Sequence, residues 1–194
     1  MRLSITHQES YSRGELLLRT FFGFIYLTIP HMFMLIFAEI WGRILGFIAW
    51  WVILFTGRYP ENMFQFQVNL LRWNLRVSAR MYNLCDGYPA FWPSGTDDKT
   101  SLDVEYPESL SRGKLLLRTF FGWIYVYIPH FFLLFFMGIW ASILNFISWW
   151  VILFTGTYPT SNHIFMVKYI RWSYRVNLYA LNMTDDYPPF NGNE

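Results

Sequence analysis

The chain has little charge and almost no cysteine. Charged residues make up 14% of it, with a net charge of +2. So small an excess, without a Lys/Arg block or a nucleic-acid motif, argues against nucleic acid as a partner. One cysteine, Cys85, excludes an internal disulfide framework and a cysteine-built metal site. There is no second histidine pair beside His31 and His130, and no Cys-x-x-Cys-His. A phosphate loop, a nucleophile–base arrangement and a paired-carboxylate acid site are all missing, so neither an enzyme nor a resident cofactor or metal is expected. The start, Met1–Ser10, is polar and alternating, unlike a cleavable signal peptide.

Apolar residues are abundant. They reach 54%, and aromatics 22%, more than the core of a 194-residue soluble protein could hide. The surplus calls for lipid or a partner protein.

The second feature is repetition. Leu3–Phe91 recurs as Leu102–Phe190 at a constant offset of 99 residues, and between Ser12–Pro60 and Ser111–Pro159 35 of 49 positions are identical. One structural unit is used twice. The boundaries follow: residues 1–91 form one membrane repeat, 92–101 a linker, and 102–194 the second repeat.

Within each unit the pattern changes character. Leu3, Ile5 and His7, like Leu102, Val104 and Tyr106, alternate as short strands that could pair. Leu16–Phe37 and Leu115–Phe136 follow, each long enough as helix to cross a hydrocarbon core of about 30 Å. Arg19 or Arg118 lies one turn inside, where a long side chain can reach headgroups. Pro30 and Pro129 predict either a kink, tolerated where neighbouring groups satisfy the freed carbonyl, or the end of one helix and the start of another, which would leave one long crossing per unit. A second apolar segment, Ile40–Gly57 and Ile139–Gly156, is nearly long enough to cross again. Glu39, Arg43 and Ser142 are expected at the turn of a transmembrane hairpin.

After Tyr59-Pro60 and Tyr158-Pro159 comes a basic amphipathic helix, carrying Arg72, Arg76 and Arg80, or Lys168, Arg171 and Arg175. This pattern predicts a helix in the interface plane, its basic residues binding anionic lipid or pairing with Glu9, Glu108, Asp86 and Asp185. All these arginines and lysines flank the apolar pair, so two crossings per unit would put both flanks and both termini on the cytoplasmic face. The predicted fold is an all-α integral membrane protein of two tandem repeats, each a transmembrane hairpin plus a basic interfacial helix, with short strands before each hairpin. The repeats would be parallel, related by an axis along the membrane normal.

The motifs Tyr106-Pro-Glu-Ser-Leu-Ser-Arg-Gly113, Ile128-Pro-His130, Trp149–Gly156 with Tyr158-Pro159, Arg171-Trp172 and Asp185–Phe190 resemble a family of bacterial membrane proteins known as domain of unknown function 4389. The first unit departs from it at His7–Tyr11. The resemblance implies a multi-pass protein of the bacterial inner membrane and carries over no catalytic residue.

His31 and His130 are the sharpest polar candidates, each following a proline in an apolar segment. Three roles are open to them: a hydrogen bond to the carbonyl that proline frees, proton or ligand transport, and haem ligation from both sides. His7 and His163 have no equivalents in the other unit and suggest nothing. The leading expectation is a non-enzymatic membrane protein acting by association, as an accessory or scaffold subunit or a homo-oligomer, among membrane lipids. The alternative is a small transporter or channel with a midplane site near His31, His130, Thr28 and Asn145; a lipid-modifying enzyme comes third.

Overall fold

Ser12 opens the first helix because its side chain accepts a hydrogen bond from the backbone N–H of Glu15, and Ser111 does the same for Lys114. From there the computed structural model, which describes residues 1–193, follows one helix for 44 residues in each repeat, Arg13–Thr56 and Arg112–Thr155. Each long helix is built from α1 (Arg13–Gly23), a π-helical turn (Phe24–Thr28) and α2 (Ile29–Thr56), or α4 (Arg112–Gly122), a π-helical turn (Trp123–Tyr127) and α5 (Ile128–Thr155). Gly57 and Gly156 end them with φ of 74° and 76°, a left-handed cap that glycine adopts without strain. Two further helices, α3 (Glu61–Met81) and α6 (Thr160–Ala180), follow their long partners.

The hairpin expected from the sequence is therefore corrected. Glu39, Arg43 and Ser142 lie inside continuous helix. Nothing in the stretch terminates a helix, and Glu39 accepts a hydrogen bond from Asn74 of α3 at 2.8 Å instead of capping a turn. Pro30 and Pro129 do not end the helix either. Their rings remove the bond to the carbonyl four residues back, and the π turn absorbs the distortion. That wider turn keeps Gly23, Leu27, His31 and Leu35 on one buried face.

The strands are β1 (Arg2–Ile5) and β2 (Thr100–Asp103), antiparallel, with Leu3 opposite Leu102. These two residues are also counterparts at the 99-residue offset, so a pseudo-twofold axis passes between them. The interface between repeats obeys it. Trp50 Nε1 donates to Thr119 Oγ1 at 2.9 Å, and Trp149 Nε1 to Thr20 Oγ1 at 2.8 Å. Tyr11 N–H donates to Gly156 O, and Leu110 N–H to Gly57 O. Arg13 reaches Phe154 O, and Arg112 reaches Phe55 O. The start of each long helix thus meets the end of the other: the two run antiparallel, and the axis stands perpendicular to both. Such an isologous interface is what two copies of one unit make.

One core joins the repeats through Leu16, Ile53, Phe64, Leu75, Leu102, Leu115, Ile152 and Met166, all almost completely buried. More than half of α3 is buried, partly in this core and partly, through Leu70, Trp73 and Val77, in a second cluster with Leu27 and Leu35. It packs on α2 on one side and on β2 and the connecting segment on the other, and does not present an apolar face outward.

Candidate functional site

The most built polar site is the box around the proline of each long helix. His31 is fully buried, and its Nδ1 accepts a hydrogen bond from Trp73 Nε1 at 3.0 Å. Its ring stacks on Phe91 at 4.0 Å and 7°. The carbonyl that Pro30 frees belongs to Tyr26, and it accepts from the Tyr88 hydroxyl at 3.1 Å. The second repeat copies each contact: Trp172 to His130 Nδ1, Phe190 on the imidazole, Tyr187 hydroxyl to Tyr125 O.

The closing motif Asp-x-Tyr-Pro-x-Phe is therefore a strap. Asp86 anchors it, accepting from Ser12 N–H at 2.7 Å and from Arg19 at 3.0 Å; Asp185 does so with Ser111 and Arg118. Arg19 and Arg118 are partners of this strap. Tyr88 and Phe91 then close over the proline turn.

This geometry decides what the two histidines can do. The indole N–H only donates, so Nδ1 must accept and the neutral ring carries its proton on Nε2. Both Nε2 atoms are buried without an acceptor. Metal ligation by Nε2 would move that proton to Nδ1, against the indole donor. The boxes also lie apart, each made from its own repeat, so the pair is not arranged to hold one haem. No group of three or more metal-binding side chains occurs among the described residues. Thr28 lies in the π turn, and Asn145 in α5 leaves its Oδ1 unpartnered.

The basic stripe turns inward. Arg80 is bound through both terminal nitrogens to Asp97 at 2.5 and 2.9 Å, and Thr100 also donates to that carboxylate. Burial by itself would raise Asp97, yet these bonds bring it down to about 2. Arg76 donates to the carbonyls of Ala90, Trp92 and Gly95, holding the segment between the repeats. Arg72 reaches Leu102 O and Asp103, and Arg171 reaches Leu3 O and Gly192 O. Arg76, Arg80 and Arg171 are buried, Lys168 is exposed, and Arg72 and Arg175 are half-exposed. Among the described residues, Arg80 pairs with Asp97 and Arg72 with Asp103, rather than with Glu9, Glu108, Asp86 or Asp185.

The scaffold around these sites matches a known family. A family model described as a domain of unknown function, DUF4389, matches residues 16–93 and again 114–191. The chain belongs to the DUF4389 family. No curated protein and no solved structure matches it. Each DUF4389 copy spans the long helix from its first turn to just past the strap, so the proline, its histidine and the strap that covers them form one module.

Sequence reasoning missed one pair in this DUF4389 chain. His7 and His163 meet edge-on, ring centroids 4.8 Å apart, and His7 Nε2 donates to Tyr158 O at 2.9 Å. Their counterparts are Tyr106 and Phe64, which meet the same way at 5.1 Å, with the Tyr106 hydroxyl donating to Tyr59 O. The signal was ring for ring, not residue for residue. Burial, with the neighbouring His7, lowers His163 from 6.5 to about 4.

Proposed function

We propose that this DUF4389 protein is a non-enzymatic protein of the bacterial inner membrane that acts by association, as an accessory or scaffold subunit or a homo-oligomer. The observation that carries the reading is one long, predominantly apolar exposed face, which the exposed Arg43 breaks in the first repeat. Along the first long helix Leu18, Phe22, Ile25, Phe33, Ile40, Phe47, Trp51 and Phe55 are all exposed, and Leu117–Phe154 repeats the pattern. Exposed surface of this extent needs an occupant other than water. Of the six residues of the two basic stripes, Lys168, Arg72 and Arg175 are the ones exposed enough to meet anionic lipid at the surface.

The same face bears on orientation. A 44-residue helix is about 66 Å long, against a hydrocarbon core of about 30 Å. Even the stripe from Leu18 to Phe55 runs about 55 Å, and a tilt large enough to fit it exceeds the usual range of up to about 40°. Crossing helices would also lay the pseudo-twofold axis in the membrane plane, and would send Arg58 and Arg112 to one face and Arg13 and Arg19 to the other, against the usual cytoplasmic bias of positive charge. An axis along the membrane normal lays both long helices in one leaflet, with the strands, α3, α6 and both termini on the cytoplasmic side. A transporter or channel with a midplane site at His31 and His130 finds no support in two separately sealed boxes.

Single-cysteine variants in a Cys85→Ser background test this. Arg58→Cys and Thr157→Cys sit at equivalent ends of the two long helices. Both should be shielded from an impermeant thiol reagent in intact cells, as should Ser142→Cys. Labelling of one of the equivalent pair but not the other would establish crossing and overturn the one-leaflet orientation. Recovery of the protein in the soluble fraction without detergent would overturn the membrane reading itself.

A further inference from the structure

A cavity of about 620 Å³ lies between the two long helices, where α1 runs beside the end of α5. Phe24, Phe146 and Trp150 stand at its rim, and all three belong to the exposed apolar face. Arg19 and Arg80 line the other end, with side chains only 7% and 3% exposed. The cavity therefore joins a lipid-like surface to two buried guanidinium groups.

Arg19 spends all three of its nitrogens on Asn83, Glu15, the Cys85 carbonyl and Asp86, but Arg80 is not fully used. Arg80 gives its terminal nitrogens to Asp97 and to the Arg76 carbonyl, while its Nε–H has no acceptor. A buried donor without a partner is costly, and a guanidinium holds its donors in a fixed plane. The nearby carboxylates of Glu15, Asp86 and Asp97 offset the positive charge of Arg19, Arg80 and Lys99. Net charge does not draw a ligand here. A directed donor beside apolar walls selects a molecule with an acceptor at one end and hydrocarbon at the other.

We infer that this cavity binds a phospholipid, its phosphate accepting from Arg80 Nε and its acyl chains leaving between Phe24, Phe146 and Trp150. The inference rests on the membrane reading above. It belongs to the first repeat: the counterpart of Arg80 is Tyr179, whose ring lies 3.8 Å from the Arg118 guanidinium and takes the place of a second cation. Phosphate is the shared chemistry of a lipid headgroup and the free ion. The walls favour the lipid, because a free ion gains nothing from them.

The test uses the full chain in detergent. Phospholipid that remains after purification is quantified, and the thermal shift of delipidated protein is followed on adding phosphatidylglycerol or inorganic phosphate. Gly23→Leu fills the cavity without removing a charge. A Cβ at Gly23 meets nothing nearer than Arg19 Cβ at 3.6 Å, so the variant should fold. Arg80→Tyr copies the second repeat. Wild type should retain about one phospholipid per chain and show a lipid-dependent shift, while both variants lose the lipid and at least tenfold in affinity. Gly23→Leu with unchanged lipid content and shift would overturn the site while leaving the membrane reading intact. An equal shift from inorganic phosphate would overturn the lipid assignment. A wild-type chain that fractionates as a soluble protein would defeat the membrane reading first.

Discussion

Leu3 and Leu102 face each other across the two-stranded ribbon, and each is the other's counterpart in the repeat. The Trp50–Thr119, Tyr11–Gly156, Arg13–Phe154 and Arg72–Leu102 contacts between the repeats each have a return contact of the same kind. The second repeat alone should consequently replace its missing partner with a copy of itself. A chain of residues 102–194 is expected to form a twofold dimer in detergent, with Leu102 opposite Leu102 and Trp149 donating to Thr119 of the other copy. Light scattering coupled to size exclusion reads the mass. A monomer that remains folded would show that the interface depends on residues peculiar to the first repeat. Trp149→Phe should weaken the dimer, because it removes two equivalent hydrogen bonds at once.

The strap over the proline turn makes a second expectation. Tyr88→Phe leaves the Tyr26 carbonyl without its donor and should cost about 1 kcal/mol, the net worth of a typical hydrogen bond. In a Pro30→Ala background the helix can satisfy that carbonyl itself, and the same substitution should cost less. A double-mutant cycle from thermal or denaturant unfolding in detergent measures the coupling, expected above about 0.5 kcal/mol. Additive effects would mean that the hydroxyl does not serve the proline at all.

These two features differ in how far the sequence reveals them. The repeat, the strands and the apolar runs were legible because each has a period. The hairpin was not. An apolar stretch of this length fits two perpendicular crossings, and Glu39 with Arg43 looks like a turn; only Asn74, distant in sequence, explains the glutamate. The arginine stripe misled for a related reason. Periodicity places Arg76 and Arg80 on one face of α3, but cannot say whether that face meets phosphate or backbone carbonyls. The carbonyls of Ala90, Trp92 and Gly95 carry no mark in a sequence. Asp97 looked like part of a solvated linker, and its role as the partner of Arg80 depends on how that segment folds back.

His31 and Trp73 supply a third test. Replacing His31 with Phe leaves the buried indole N–H without an acceptor, at a cost of about 1–3 kcal/mol beyond any change in packing. Trp73→Phe strands Nδ1 in the same way and opens space. The double variant should lose less than the sum of the singles, since neither polar group is then left alone. Additive losses would contradict a direct bond. Gently purified protein should show no Soret band; a band that disappears in His31→Ala would restore iron ligation and require the box to open.

The last expectation concerns acid. His163 is 5% exposed, and its folded-state value of about 4 lies below the 6.5 of an unperturbed imidazole. Above 6.5 the ring is neutral in both states and contributes no pH dependence. Between 6.5 and 4 the unfolded chain binds a proton that the folded chain refuses, so stability falls as pH falls. The total loss approaches roughly 3 kcal/mol by pH 4, where the folded form begins to protonate too. His163→Phe should remove this contribution, and the first repeat shows that the geometry tolerates it, because Phe64 occupies the equivalent place against Tyr106. Melting temperatures of both proteins, measured from pH 7.5 to 4.5 in one detergent, should run together above 6.5 and diverge below it, with the wild type falling faster. Parallel curves through that window would mean that His163 gains a proton as easily folded as unfolded, and that the space around the His7–His163 pair is open to water.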